Sequence, residues 1–190
     1  MKVLVACEYS GAVRQAFRDM GHEAWSCDLL PADDGSPYHI QGDVLPFLDL
    51  GWDLLIGFPP CTRLCNSGVR WLAERNLWSD MHDGAAFFRA LWDAPIPRIC
   101  LENPVMHRYA RDAVGVTPTQ FVQPWQFGHG YTKRTGLFLK GLPPLVPTDV
   151  VAGRANTIHA APPGPMRWKI RSTTPVGLAR AMAAQWGVEP

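Results

Sequence analysis

The sequence predicts an α/β protein built around one core, and three features support that fold class. Up to Gly57 the chain holds four short apolar runs of the strand type, and a segment with helical spacing lies between the first two. A chain of 190 residues with 47% hydrophobic and 18% charged residues is long enough for one sizeable core and short for two domains. Acidic residues follow several of the runs, at the edge where open α/β sheets bind ligands.

The predicted elements alternate along the chain. The strands are Lys2–Cys7, Glu23–Cys27, His39–Val44, Asp53–Gly57, Arg98–Leu101, Thr119–Gln123 and Thr135–Leu139. The helices are Ala12–Met20, about Asp80–Trp92 and about Pro175–Trp186. Gly21 is expected to end the first helix, and Ser79 and Thr174 are expected to cap the other two. The proline-rich segment 141–171 shows little periodicity.

Charge and cysteine content narrow the classes of function. A formal net charge of +1 gives no global basic field for nucleic acid, although a local basic patch stays open. No apolar stretch is long enough to span a bilayer, so no membrane partner is expected. Five cysteines at irregular spacing argue against a disulfide framework and favour a reducing, cytoplasmic location.

The loop after the fourth strand is the most informative stretch. The apolar run Leu54–Gly57 leads through Phe58 into Pro59-Pro60 and then Cys61. Two prolines fix φ and remove two backbone donors, so the strand ends and the thiol is held on a stiff loop. This position makes Cys61 a candidate nucleophile. The competing interpretations are a buried structural thiol and a zinc site shared with Cys65 and a histidine.

The first strands end in residues that suit a polar cofactor. Asp28 closes the second strand, Asp43 closes the third, and Glu8 follows the first. A carboxylate after the second strand commonly binds ribose hydroxyls in Rossmann-like folds, but each residue alone is equally typical of a turn. Because the first turn lacks the Gly-x-Gly-x-x-Gly pattern, a cofactor is not expected to be held by its phosphates.

The loop at Cys61 resembles the nucleophile loop of cytosine-5 DNA methyltransferases. In that family the loop is Pro-Pro-Cys, usually Gln, two residues, Ser, two residues and Gly. Here Pro59-Pro60-Cys61 and Gly68 have that spacing, with Thr62 and Cys65 at the Gln and Ser positions. The family's second signature, Glu-Asn-Val, is similar to Glu102-Asn103-Pro104 after the fifth strand. The chain resembles compact phage- and prophage-type members.

The resemblance implies a Rossmann-like S-adenosylmethionine-dependent methyltransferase fold, with a mostly parallel seven-stranded sheet and an antiparallel last strand. It implies one catalytic domain over residues 1–190, in which the short segment 141–171 stands in place of a target-recognition domain. It also implies S-adenosylmethionine as cofactor and DNA as the partner, with the target base flipped into the pocket. The oligomeric state and the target sequence are left open.

The resemblance also implies two groups of site residues and no metal ligand. The catalytic group is Cys61, Glu102, Asn103, Lys133 and Arg134. The cofactor-binding group is Glu8, Tyr9, Ser10, Gly11, Asp28, Leu29, Asp43, Pro59 and Thr174.

The chemistry explains the need for these residue types. Carbon 5 of cytosine is too weak a nucleophile to take a methyl group directly, and addition of a thiolate to carbon 6 activates it. Arg63 or Lys133 is expected to lower the pKa of Cys61. A protonated Glu102 is expected to hydrogen-bond nitrogen 3 of the ring, and Asn103 to position the loop. Two alternatives stay open: action on RNA, a nucleotide or a modified base, and a non-catalytic relative that binds cofactor or DNA.

Overall fold

The computed structural model describes residues 1–158, 160, 162–164 and 167–188, so four residues of the predicted 141–171 segment lie outside the described ranges. The strands are β1 (Lys2–Ala6), β2 (Glu23–Asp28), β3 (His39–Gln41), β4 (Leu54–Gly57), β5 (Arg98–Pro104), β6 (Gln120–Val122) and β7 (Thr135–Lys140). The helices are α1 (Ala12–Asp19), α2 (Arg70–Glu74), α3 (Trp78–Trp92), α4 (Arg108–Val114), α5 (Arg167–Ser172) and α6 (Val176–Trp186).

Among the described residues, seven strands form one mixed sheet in the order β3-β2-β1-β4-β5-β7-β6. The first five strands pair in parallel, and β7 runs antiparallel to both β5 and β6. The predicted α/β fold, with a mostly parallel sheet and an antiparallel last strand, is therefore confirmed. The strand order switches direction between β1 and β4, and such a switch opens a crevice at the carboxyl ends of the strands.

Helices cover both faces of the sheet. Leu101 belongs to the apolar cluster under α3 and α4, whereas Cys100 belongs to the cluster under α1 and α6. Because successive residues of a strand point to opposite faces, Glu102 lies on the α6 face and Asn103 on the α4 face. The side chains of Glu102 and Asn103, although adjacent in one motif, therefore lie on opposite faces of the sheet.

The predicted end of the fifth strand is wrong. Glu102 and Asn103 do not follow β5 but continue it, since they pair with Leu137 and Gly136 of β7. This pairing gives both side chains a fixed direction, which a loop would not.

Both predicted side-chain caps are also wrong. Helix α3 begins one residue before Ser79, because the turn after α2 leads directly into it and Leu77 occupies the capping position. Helix α6 follows Pro175, and Thr174 makes no cap because it lies buried one residue earlier. Gly21 does follow the end of α1 with a left-handed backbone, as expected.

Three helices were not predicted from the sequence. α2, α4 and α5 span only five, seven and six residues, too few for a helical period to stand out. Within the described ranges, no helix has the length and apolarity that crossing a bilayer requires.

Candidate active site

Hydrogen bonds hold the loop that carries Cys61. The carbonyl oxygen of Cys61 accepts the backbone N–H groups of Leu64 at 3.0 Å and Cys65 at 2.9 Å, and these two hydrogen bonds fold the loop into one tight turn. The N–H of Asn66 donates to the carbonyl oxygen of Val105 at 3.0 Å, just beyond β5. The loop is therefore docked on the same strand end that carries Glu102.

Two further residues fix the shape of this loop. A Cβ on Gly68 would collide with the carbonyl oxygen of Thr62, which explains the spacing of the motif. His107 is buried; its Nδ1 accepts the N–H of Ala110 at 3.0 Å, and its Nε2 therefore donates to the carbonyl oxygen of Arg63 at 2.8 Å. His107 was missed from the sequence because its signal is a cap on α4, a helix that was not predicted.

The half-buried thiol of Cys61 lies one turn before the buried thiol of Cys65, and the two thiols interact. This contact, together with burial and the charges of Cys65 and Glu102, raises the pKa of Cys61, and Lys133 acts against them. The same contact, with Ser67 Oγ at 3.0 Å and backbone N–H groups of the next turn, lowers the pKa of Cys65 to about 5. The net direction is the reverse of the expected one: Lys133 lowers the pKa of Cys61 as expected, but Cys65, burial and Glu102 raise it by more.

Two of the basic residues predicted near the nucleophile lie elsewhere. The Nε of Arg63 donates to Asp80 Oδ2 at 3.3 Å, beside the start of α3. The guanidinium of Arg134 is exposed and lies 4.1 Å from the centre of the Phe121 ring. Lys133 is the member of the basic pair that faces the site.

Glu102 and Lys133 line one small cavity on the α6 face of the sheet. Its wall includes Phe58 and Thr174, and its volume is about 20 Å³, roughly that of one water molecule. Thr174, predicted to bind cofactor, is thus placed beside Glu102, predicted to act on the base. A ring the size of a pyrimidine would enter this cavity only if these side chains moved apart.

Asn103 lies on the other face of the sheet. Its side chain is fully buried, and neither Nδ2 nor Oδ1 has a hydrogen-bond partner in the part of the chain that the structure describes. It lines a second cavity of about 250 Å³, together with Met106, Arg111 and Phe138. An orphaned buried amide typically destabilises a protein by about 1–3 kcal/mol.

The carboxylates of Asp28, at the end of β2, and of Asp43, two residues after β3, both act on the thiol of Cys27. Asp28 Oδ1 accepts the N–H of Leu30 at 2.9 Å, and Asp43 Oδ1 accepts the N–H of Leu45 at 3.1 Å. Burial and then the charges of both aspartates raise the pKa of Cys27 to about 11. Each aspartate thus stabilises its own turn and also contributes negative charge to a shared edge.

Glu8 supports the start of α1. Its Oε1 accepts the N–H of Val13 at 2.7 Å, and its Oε2 accepts the N–H of Arg14 at 3.1 Å. Burial raises the pKa of Glu8 to about 7, although these hydrogen bonds and the Arg14 charge oppose the shift. Gly11 precedes the helix with a φ of 72°, and a Cβ there would collide with the Arg14 guanidinium. Glu8 and Gly11 therefore shape the turn after β1.

Helix α5 packs against the turn after β1. The rings of Tyr9 and Trp168 lie 5.4 Å apart, and the Tyr9 hydroxyl is 3.0 Å from Ser172 Oγ. The Nζ of Lys169 donates to Asp33 Oδ1 at 2.7 Å. The C-terminal part of the chain therefore returns to the turn after β1.

The donor set at this edge fits a nucleoside cofactor. Asp28 and Asp43 offer carboxylates for ribose hydroxyls, and the side chain of Leu29, 73% exposed, offers an apolar contact for a planar ring. Ser10 and Pro59 lie at the ends of the adjacent strands β1 and β4. Among the described residues, no group of three or more His, Cys, Asp or Glu side chains could hold a metal ion.

The fold matches solved methyltransferase structures. A protein described as a DNA modification methyltransferase of an E. coli prophage aligns over 80% of this chain and 52% of its own, with TM-score 0.54 and 17% identity. The Entamoeba histolytica methyltransferase EhMeth aligns over 80% of this chain and 57% of its own, with TM-score 0.53 and 13% identity. At these identities the likeness shows the fold, and the chain spans about half the length of the structures it matches. No protein-family model and no curated protein matches the chain.

Proposed function

We propose that this protein transfers a methyl group from S-adenosylmethionine to carbon 5 of cytosine in DNA. The observation that carries the proposal is the convergence of Cys61, Glu102 and Lys133 at the carboxyl ends of the paired strands β4 and β5. A nucleophilic thiol, a carboxyl group and a cation are the groups that addition to a pyrimidine ring needs. The methyltransferase-type fold and the resemblance of the two motifs support the same chemistry.

In this proposal, Cys61 Sγ adds to carbon 6 of a flipped cytosine. Glu102, in its neutral form, donates a hydrogen bond to nitrogen 3 and so stabilises the electrons displaced from the ring. Lys133 offsets part of the negative charge near the sulfur. Once carbon 5 carries the methyl group, its proton passes to water and Cys61 leaves carbon 6 as a thiolate, which restores the ring.

In this proposal, the cofactor binds at the carboxyl ends of β1, β2 and β3, beside the catalytic residues. S-adenosylmethionine, when bound, supplies a methyl group activated by a sulfonium. Asp28 and Asp43 are suited to its ribose and adenine, and the Tyr9–Gly11 turn to its amino-acid part. Thr174 lies between this group and Glu102, so it would form part of the wall between cofactor and base.

The same scaffold acting on RNA or on a free nucleotide is the second candidate. In the described part of 141–171 the regular structure is helix α5, without a strand of the sheet, which leaves little surface for reading duplex DNA. The shortness of this internal segment favours a substrate that needs no recognition domain inserted at this place.

The first test is mass spectrometry of nucleosides from cells that lack cytosine methylation and express either this protein or its Cys61→Ser variant. We expect 5-methyldeoxycytidine with the intact protein alone. Thermal unfolding of both purified proteins controls for folding. Absence of the modified nucleoside from DNA, with its appearance in RNA or in nucleotide pools, would replace the DNA substrate with the second candidate.

The second test uses oligonucleotides that contain 5-fluorocytosine. Fluorine cannot leave carbon 5 as a proton does, so the bond between Cys61 and carbon 6 should survive denaturation. We expect a covalent complex that maps to Cys61 and requires the cofactor, and no complex with Cys61→Ser. Binding of cofactor and DNA without any such complex would instead indicate the non-catalytic relative.

A further inference from the structure

We propose that the cavity of about 250 Å³ on the α4 face of the sheet binds the base of a nucleotide, at the buried amide of Asn103. This second site lies on the opposite face of the sheet from the cavity lined by Glu102 and Lys133. The inference goes beyond the proposed function, because a base can bind there whether or not the protein transfers a methyl group.

One row of residues across three neighbouring strands builds the cavity. Asn103 of β5 pairs with Gly136 of β7, and Gly136 pairs with Phe121 of β6. Residues that lie directly opposite each other in antiparallel strands point to the same face, so all three belong to the α4 face. A Cβ on Gly136 would lie 3.1 Å from the Cβ of Pro118 and 3.3 Å from the Phe121 ring. The glycine therefore lets Pro118 and Phe121 approach the sheet beside Asn103, and both line the cavity.

The amide of Asn103 offers this cavity a hydrogen-bond donor and an acceptor side by side. The side chain is fully buried, and neither Nδ2 nor Oδ1 has a partner among the residues that the structure describes. A carboxamide can form two hydrogen bonds with the donor–acceptor edge of a nucleobase, as asparagine does with adenine in protein–DNA complexes. One planar ligand edge would thus satisfy the whole side chain.

The walls of the cavity suit the flat faces of a base. Phe121 and Phe138 line it together with Asn103. Aromatic side chains are the usual stacking partners of bases that are not paired in a duplex. The volume of about 250 Å³ lies just below the range of about 300–1,000 Å³ that is typical of ligand pockets, so the cavity suits a single nucleoside-sized group.

The outer side of the cavity carries positive charge. Exposure increases from the fully buried Asn103 to Phe121, which is 39% exposed, and to the exposed Arg111. The guanidinium of Arg134 lies 4.1 Å from the centre of the Phe121 ring. Neither arginine forms an ion pair in the part of the chain that the structure describes. Both can therefore bind the phosphate of a nucleotide whose base reaches Asn103.

The first experiment titrates the protein with each of the four deoxynucleoside 5′-monophosphates by isothermal titration calorimetry. We expect at least one of them to bind, and Asn103→Leu, which removes the hydrogen-bonding edge, to weaken its binding about tenfold or more. Arg111→Ala should weaken binding about threefold and reduce its dependence on salt. Inorganic phosphate, which lacks a base, should bind far more weakly than the nucleotide.

Glu102→Gln is the matched control, because it changes the neighbouring residue on the other face of the sheet. Weaker nucleotide binding in Glu102→Gln with unchanged binding in Asn103→Leu would place the nucleotide in the catalytic cavity. That outcome would overturn the second site and leave the proposed function standing. Thermal unfolding of each variant shows that lost binding does not reflect lost folding.

The second experiment decides whether the base belongs to a free nucleotide or to a nucleic-acid strand. A single-stranded DNA of about eight nucleotides is titrated alone and in competition with the monophosphate that binds. Displacement of the monophosphate, with weaker DNA binding to Asn103→Leu, assigns the site to a base of a strand, and binding without displacement assigns it to a free nucleotide. If neither probe binds the intact protein, or if both bind Asn103→Leu equally well, the proposal is overturned and water is left as the partner of the amide.

Discussion

At the carboxyl edge of the sheet, the polar groups that follow β1, β2 and β3 differ in their hydrogen bonding from those that follow β4 and β5. Along β1, β2 and β3, the carboxylates of Glu8, Asp28 and Asp43 all accept backbone N–H groups a few residues away. At the ends of β4 and β5, Cys65, burial and Glu102 raise the pKa of the Cys61 thiol, and the amide of Asn103 has no partner within the described residues. The polar groups of the first half have hydrogen-bond partners nearby in the chain, whereas the second half holds polar groups whose burial does not stabilise the fold.

This difference separates two kinds of role. A carboxylate that accepts a backbone N–H group in its own turn has a structural role without any ligand. The proposed cofactor site along β1, β2 and β3 therefore depends on several residues together and not on any one of them. A group that is buried, unpaired or held at an unfavourable charge is retained against the free energy of folding, which is typical of functional sites. The comparison can be tested by removing groups from each half.

The largest expected effect on stability concerns Glu8, a buried carboxylate that accepts two backbone N–H groups. Its pKa of about 7 lies above its ordinary 4.5, so between these values the native state holds more protons than the unfolded state. The free energy of unfolding should therefore fall by about 3 kcal/mol as pH rises from 4.5 to 7. Urea denaturation across this range measures the fall.

The matched control for that experiment is Glu8→Gln, which cannot ionise. Its stability should lack this decrease, whatever its absolute value. An equal pH dependence in the intact protein and the variant would assign the effect to other groups and would remove the buried charge from the comparison.

The second effect concerns the turn after β1. Gly11→Ala places a Cβ at a φ of 72° and against the Arg14 guanidinium, so we expect a loss of about 2 kcal/mol of unfolding free energy. Gly35→Ala is the control, because its φ of 63° is similar but the space around it is open. Equal losses would mean that backbone strain alone, and not close packing at the turn, requires Gly11.

The third effect has the opposite sign and lies in the second half. Asn103→Leu removes a buried amide without partners and keeps its approximate volume, so the free energy of unfolding should rise by about 1–2 kcal/mol. Methylation should fall at the same time, if the amide serves function. Glu102→Gln provides the contrast, since it should abolish methylation with little change in stability. A destabilised Asn103→Leu would show that the amide has a stabilising role.

The fold was largely predictable because its signals are periodic. Runs such as Lys2–Cys7 and the spacing around Phe88 reflect burial on a sheet face and a helix face, and burial dominates folding. The short helices α2 and α4 were not predictable, since their boundaries depend on tertiary contacts such as that of His107 with the nucleophile loop. Strand β5 was predicted too short for the same reason: pairing with β7 extends it.

The site was predictable in its members and not in its electrostatics. The sequence motif identified Cys61 and Glu102, but the charge on a thiol depends on which groups lie around it in space. Cys65 was noted as a departure from the family pattern, and its contact with Cys61 became clear only from the turn that joins them. Which residue of the Lys133-Arg134 pair faces the site likewise depends on the orientation of the chain before β7.

The smallest expected effect distinguishes a turn residue from a ligand residue at Asp43. Asp43→Ala removes the hydrogen bond to the Leu45 N–H and should lower the free energy of unfolding by about 0.5–1 kcal/mol. Asp43→Asn keeps that hydrogen bond and should unfold like the intact protein, yet it loses the charge suited to a ribose. Isothermal titration with S-adenosylmethionine should therefore show weaker binding to both variants. Intact affinity in Asp43→Asn would reduce Asp43 to a turn residue, and the cofactor proposal would then depend on Asp28 in this part of the edge.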